Sequence, residues 1–291
     1  MKISNFKIQT NKYFLILISI FLSNLIYAQV KVKGDRDVRI QQTAVSDFKT
    51  LAVGNEFEVV LIKAFSPSVT VEADANLHSA IVTNVNDSIL NITFNKELKR
   101  AKKFKVLVRY TENLKSIILR DNVNVEAQEA IQLTDLDLTL ENDSKIKADI
   151  NAEKFKLLNN NDSTFKIKTN CQLNIESKHA TLELNKRSNN IIKINAEELV
   201  VNMRDDADLD IEGFTYDLAL YAESKGTFDG KSLLTNNIKA QIQDKAQVTL
   251  QATDSIQISA SGKSELTLYG KPNVIIINQL DDDVSIHKKT L

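Results

Sequence analysis

The chain has 291 residues, 26% of them charged, a net charge of −1, two prolines, one cysteine and no tryptophan. Near-neutral charge argues against a general nucleic-acid binder, and a single cysteine excludes an internal disulfide framework. His78, His179 and His287 stand far apart, so a histidine-based metal site is not expected.

The first predicted element is a processing signal. Lys2, Lys7 and Lys12 precede the apolar run Tyr13–Leu25, and Ile26-Tyr27-Ala28 follows with a small residue. That order is the secretory pattern, and the run falls short of the ~20 apolar residues a membrane helix needs. Cleavage is expected after Ala28, with an uncleaved anchor as the alternative. Loss of the three lysines takes the net charge from −1 to −4. The mature chain is expected outside the cytoplasm (periplasm, outer surface or medium), with no integral membrane span. Residues 29–46 read as a polar lead-in and 47–291 as one body, divided into a capping β region at 47–120 and repeating coils at 121–291.

The capping region alternates in longer strands: Phe57-x-Val59-x-Leu61, Val69-x-Val71, Leu90-x-Ile92-x-Phe94 and Phe104-x-Val106-x-Val108-x-Tyr110. Alternation with β-branched residues between polar turns predicts half-buried strands. Ala73–Val82 reads as the one short helix, capped by Asp74, with Leu77 and Ile81 on one face. Between the Phe94 and Phe104 strands lies a basic run: Lys96, Lys99, Arg100, Lys102, Lys103, Lys105 and Arg109. Clustered cations raise the local concentration of an anionic polymer such as an envelope glycan. The plainer reading is a solvated loop whose lysines keep an edge strand soluble.

From Leu136 onward a phrase recurs. Taking Ser144, Ser163, Ala180, Ala207, Gly226, Ala246, Ser264 and Asp282 as turn residues, apolar or small side chains stand two and four positions beyond each. The turns fall 19, 17, 27, 19, 20, 18 and 18 residues apart. A second apolar pair lies eight and six positions before most of them, as at Leu199/Val201 and Ile256/Ile258. Leu173/Ile175 is read as the upstream pair of the Ala180 unit, and Ile192-Lys193-Ile194 as an extra strand. A two-stranded unit cannot shelter its own apolar face, so a period of this length predicts stacked coils. The fold class is therefore all-β, a right-handed parallel β-helix or solenoid with a more irregular β-rich N-terminal part. Leu182, Leu209, Val248 and Leu266 are expected to pile above one another. Asn159–Asn161 and Asn236–Asn237 are assigned to corners, where asparagine accepts left-handed backbone and its amide can ladder between coils. An antiparallel β-sandwich is the alternative.

Two acidic groups, Asp205/Asp206/Asp208/Asp210 and Asp281/Asp282/Asp283, are at spacings that can hold calcium. Neither has the glycine-rich nonapeptide of calcium-binding β-rolls, so solvated turn acids are favoured. Cys171 reads as a buried small hydrophobe. No carboxylate pair, nucleophile order or phosphate loop can be singled out, so no catalytic, metal or cofactor site is assigned.

The stretch Phe48-Lys49-Thr50-Leu51-Ala52-Val53-Gly54-Asn55-Glu56-Phe57-Glu58-Val59-Val60-Leu61, the segment Val69–Leu77 and the close Leu266-Thr267-Leu268-Tyr269-Gly270-Lys271-Pro272 carry a resemblance. Together they resemble the "putative auto-transporter adhesin, head GIN domain" family of secreted Gram-negative proteins, over about residues 38–289. The resemblance implies a β-helix-like fold and an extracytoplasmic place; it implies no established activity and no site residues. Asp, Lys and Ala replace the family's usual Gly-Ser-Gly turns in the middle rungs. The expected function is a non-enzymatic, adhesin-like binding or structural module contacting envelope polysaccharide or a surface protein. The alternatives are a polysaccharide-active enzyme and a periplasmic assembly or sensing partner.

Overall fold

The computed structural model describes residues 31–160, 170–281 and 283–290. The signal segment, the Ser163 unit with Phe165 and Ile167, and Asp282 lie outside the described residues. The strands in chain order are β1 Lys31–Lys33, β2 Val38–Ala44, β3 Thr50–Val53, β4 Glu58–Lys63, β5 Ser68–Asp74, β6 Ile81–Asn86, β7 Ile89–Phe94, β8 Glu97–Arg100, β9 Phe104–Tyr110, β10 Ser116–Leu119 and β11 Asn124–Ala127. They continue as β12 Ile131–Glu141, β13 Lys145–Asn160, β14 Asn170–Leu184, β15 Asn189–Met203, β16 Asp208–Ala222, β17 Thr227–Ile242, β18 Gln247–Ala260, β19 Glu265–Gly270, β20 Val274–Leu280 and β21 Ser285–Lys288.

The molecule is a β-solenoid of about 8 turns. Two walls of parallel strands face each other across one apolar interior. On the front wall Val59, Val125, Ile146, Cys171, Asn190, Leu209, Phe228, Val248, Leu266 and Ile286 stack in register. On the back wall the column is Leu51, Ile117, Leu138, Leu157, Leu182, Val201, Leu220, Ala240, Ile258 and Ile277. Each inward side chain sits between copies of its own kind one strand spacing, ~4.8 Å, away. Parallel pairing between successive coils excludes the sandwich.

Each coil has two different corners. One is a tight turn with left-handed residues, among them Lys186, Asp205, Ser224, Asp244 and Gly262. The other is a bend inside a continuous strand. In β15 the inward positions run Asn190, Ile192, Ile194, Ala196, then Leu199, Val201, Met203, with Glu197 and Glu198 both outward. A step of three instead of two, with no glycine or proline, lets both limbs keep their apolar face inside. Amides ladder across this bend as expected: Asn237 donates to Asp217 Oδ1 at 3.0 Å and accepts from Ser255 Oγ at 2.8 Å. The left-handed residues, however, are not these asparagines, and Asn159 is no outer corner: it lies inside the tube and donates to Asn190 Oδ1 at 2.7 Å.

Three expectations for the repeat are corrected. Ile146-Ala148-Ile150 pairs directly with Cys171-Leu173-Ile175, a 25-residue step, so Leu173/Ile175 opens a coil on the front wall. Ala180-Leu182-Leu184 then falls on the back wall beside Leu199-Val201-Met203, and Leu182 leaves the predicted column of Leu209, Val248 and Leu266. Ile192-Lys193-Ile194 is an ordinary rung rather than an extra strand. In the last coil Ile286, not Val284, pairs with Leu266, two positions beyond the assigned place.

The N-terminal end is closed. Here the pairing turns antiparallel: β5 runs against β9, β2 against β5, and β6 against β7. Phe104 stacks on Phe57 at 4.2 Å and meets Phe94 edge-on at 5.0 Å, lidding the tube with aromatic area. The predicted helix is one 3₁₀ segment, Ala75–Ala80, with Leu77 buried and Ile81 already in β6.

Two buried acids fix an alkaline limit. Burial, helped by the Glu129 carboxylate, pushes the Tyr110 hydroxyl up to about 12, and that hydroxyl has no hydrogen-bond partner. Burial pushes the Cys171 thiol up to about 12 from its ordinary 9.0. Both are neutral in the fold and ionise more readily once unfolded. Their contribution is therefore complete below about pH 9 and is lost as pH rises toward 12. Thermal melts are expected to fall from pH 9 upward, and Cys171→Ala with Tyr110→Phe to flatten that limb. At neutral pH Tyr110→Phe should raise stability by ~1 kcal/mol, because it removes an unpaired buried hydroxyl. A lower melting temperature for Tyr110→Phe would contradict this.

Candidate functional site: a polar groove on the front wall

Alternation sends every second front-wall residue to solvent, and register turns these into rows. Lys147, Gln172, Ile191 and Asp210 form one row across β13 to β16. Asp149, Asn174, Lys193 and Glu212 form the next, and Asn151, Glu176, Asn195 and Phe214 the third. Neighbours along the middle row are tied: Asn174 Nδ2 donates to Asp149 Oδ1, and Lys193 Nζ lies 3.7 Å from Glu212 Oε1. Two adjoining depressions of about 310 and 590 Å³ lie over this array and share Asp149, Asn174 and Lys193.

The groove ends on an aromatic. Gly213 occupies an inward position between Ile194 and Leu233 with φ of 118°. A Cβ there would run into the Ile194 carbonyl, so only glycine fits this backbone. The next residue, Phe214, lines the second depression and meets exposed Tyr216 edge-on at 4.8 Å. This pair supplies a flat apolar face despite the absence of tryptophan. It was missed in the sequence, where Gly213-Phe214-Thr215-Tyr216 gave the signal as two alternating aromatics after a glycine.

The seven predicted basic residues are spread over three elements. Lys99 and Arg100 are on β8, which pairs with β1 and carries the Lys31–Glu97 ion pair at 2.7 Å. Lys96 lies just before it and is half-buried. Lys105 stands on β9 between Glu58 and Glu72 of the flanking strands, and Arg109 Nη1 donates to Thr70 Oγ1 at 3.3 Å. Lys102 and Lys103 are exposed in the loop before β9. The structure adds two basic residues: Lys33 and Arg36 join Arg100 and Lys102 around a cavity of about 300 Å³.

What orders this loop is Asp74, read from sequence as a helix cap. Its side chain makes no cap bond to the 3₁₀ segment. It is fully buried, and its Oδ2 accepts from the backbone N–H of Arg36 and of Lys102, each at 3.1 Å, while Oδ1 accepts from Lys103 at 3.3 Å. Gly34 leaves the space that the carboxylate fills.

The acids at the tight corners act on backbone. Asp205 Oδ2 accepts from the Lys186 N–H at 3.2 Å, and Asp244 Oδ2 from the Ser224 N–H at 3.2 Å, each one coil away. Among the described residues no group of three or more His, Cys, Asp or Glu is placed to hold a metal ion.

Among solved structures the fold is similar to a "Putative lipid binding protein" of Parabacteroides distasonis, with TM-score 0.63 and 14% identity, covering 89% of this chain and 100% of that one. It is also similar to a "putative adhesin" of Parabacteroides merdae, with TM-score 0.60 and 13% identity over 89% and 99% of the two chains. A second "putative adhesin" from P. distasonis gives TM-score 0.57 and 16% identity over 89% and 100%. At these identities the likeness concerns the fold. No curated protein matches the chain in sequence. The sequence profile described as "Putative auto-transporter adhesin, head GIN domain" matches residues 47–173 and 166–272, and the chain belongs to that family.

Proposed function

We propose that the protein is a non-enzymatic, extracytoplasmic binding module that holds an envelope polysaccharide, or a surface protein, along the front-wall groove. The observation that carries this reading is the in-register array of amides and opposite charges from Lys147 to Phe214 beneath two adjoining depressions. Donors and acceptors that repeat at one strand spacing suit a polymer that repeats its own hydroxyls, and Phe214 gives a stacking face at one end. The carboxylates of the middle row are tied to Asn174 and Lys193, which favours binding over acid–base chemistry. Family membership in an adhesin head supports the class. The secretory pattern before Gln29 supports export to the periplasm, outer surface or medium.

The test is a glycan array and a pull-down of envelope proteins. Asn174→Ala with Lys193→Ala is expected to weaken retention about tenfold, the loss of one hydrogen bond to a charged group and one to an amide. Both side chains are exposed, so the melting temperature should stay put. No retained glycan or protein, or equal retention by the variant, would remove the reading. A second contact is favoured by the convergence of Lys33, Arg36, Arg100 and Lys102 on one cavity. Replacing Lys99, Arg100, Lys102 and Lys103 by Ser should weaken retention on anionic polysaccharide while sparing neutral glycans. Unchanged retention on the anionic polymer would confine binding to the groove.

A further inference from the structure

The two ends of the rod differ. At the N-terminal end antiparallel strands and the Phe57–Phe104 stack close the tube. At the other end β20 pairs only with β18 and β21 only with β19 among the described residues. Their outer edges carry unpaired backbone groups. The inward side chains are uncovered too: Ile275, Ile277 and Leu280 are 44%, 52% and 46% exposed, whereas Ile256, Ile258 and Ala260, one coil below, are 0%, 1% and 2% exposed. Val274 and Ile276, on the outer face, are 47% and 42% exposed. This last coil lies beyond residue 272, where the family match stops.

We propose that the C-terminal mouth of the solenoid docks onto the same mouth of a second copy of this chain, forming a tail-to-tail dimer with two-fold symmetry. Turning the rod end over end reverses its strands. The last strand of each wall then meets an antiparallel strand, and the open columns cover one another. Two such axes exist, and the charges choose between them. Asp281 and Asp283 lie at the turn joining β20 to β21, while Lys288 and Lys289 close β21 at the opposite side, where Lys271 also lies at the approach to β20. An axis perpendicular to the walls sets β20 against the partner's β20 and places each acidic corner over the other copy's lysines. An axis along the strands sets acid on acid. The first arrangement is self-complementary, and complementary charge fixes register as well as encounter. Both front-wall grooves stay open in this dimer, so two grooves act on one polymer at a high effective concentration.

Sedimentation equilibrium of the purified chain tests this. The expected result is a dimer at micromolar concentration. Its dissociation constant should rise about tenfold or more with Asp281→Lys plus Asp283→Lys, and likewise with Lys288→Asp plus Lys289→Asp. Mixing the two reversed variants should restore a tight heterodimer, because both corners are then complementary again. The substituted residues are exposed, so thermal melts should report an intact rod in each variant. If a reversed variant does not fold, Ile276→Asp on the outer edge gives the same reading and should yield a monomer. A monomeric wild type, an assembly longer than two, or a dimer indifferent to both reversals would overturn the proposal.

Discussion

Leu220→Asp is expected to leave no folded rod at 37 °C. Leu220 is fully buried on the back wall between Val201 and Ala240, with apolar rows continuing on both sides. Truncating a buried leucine already costs ~2–5 kcal/mol. A carboxylate there adds the penalty of a charge with no partner, or of neutralising it, at several kcal/mol more. Domains are stable by only ~5–15 kcal/mol, so the sum consumes most or all of the margin. In a solenoid the damage also spreads, since each coil takes its shelter from its neighbours. The neighbouring residue is the control. Tyr221 is 40% exposed on the outer face, and Tyr221→Lys should change stability by no more than ~0.5 kcal/mol. Chemical denaturation of both variants checks the pair; similar losses would mean that the facing of β16 is misassigned.

Asp74→Ala should have the second largest effect, and a local one. The carboxylate is the shared acceptor of three backbone N–H groups, from Arg36, Lys102 and Lys103, that otherwise have no place in the sheet. Hydrogen bonds to a charged group contribute ~1.5–3 kcal/mol each, and partly exposed donors recover some of that from water. A net loss of ~3–5 kcal/mol is expected. Asp74→Asn should recover little, because its amide turns a donor toward donors. Hydrogen exchange should show β1, β8 and the Lys102–Lys103 loop opening while β15 to β18 stay protected. Uniform loss of protection would contradict the assignment of Asp74 to the cap alone. The cavity formed by Lys33, Arg36, Arg100 and Lys102 should lose its shape in the same variant, which links cap stability to anionic retention.

The solenoid was legible because one of its corners announces itself. A left-handed turn followed by inward residues at fixed steps, as at Ala207-Leu209-Ile211 and Ala246-Val248-Leu250, is a local pattern that a sequence displays directly. The bend at Glu197-Glu198 displays nothing, since no turn residue is needed to shift alternation by one. Where the coil lengthens to 25 residues between Ile146 and Cys171, the turn pattern was assigned to the wrong corner, and Leu182 moved to the wrong wall. Both columns are apolar and both alternate, so periodicity alone does not tell front from back.

The groove was less legible than the core. Inward residues are recognised by what they are, whereas the array over Asp149, Asn174, Lys193 and Glu212 exists only through register between coils 19 to 25 residues apart. The basic run was visible as composition, but Lys105 and Arg109 face acidic and hydroxyl neighbours, and the cavity draws two of its cations from β1 and the loop after it. Asp74 shows the same limit. An aspartate before a short apolar pair reads as a cap, and its true partners are 38, 28 and 29 residues away.

The central claim is that successive coils are stacked one strand spacing apart in a single register. Pulsed electron–electron distance measurements on spin labels test it most directly, with Cys171→Ser as background and label pairs on one outward row. Lys147→Cys combined in turn with Asp229→Cys, Thr249→Cys and Thr267→Cys spans a row that runs unbroken through Gln172, Ile191 and Asp210. The distances should be about 19, 24 and 29 Å, rising by one strand spacing per coil. Distances that fail to rise step by step, or that fall as the second label moves down the chain, would contradict the stack.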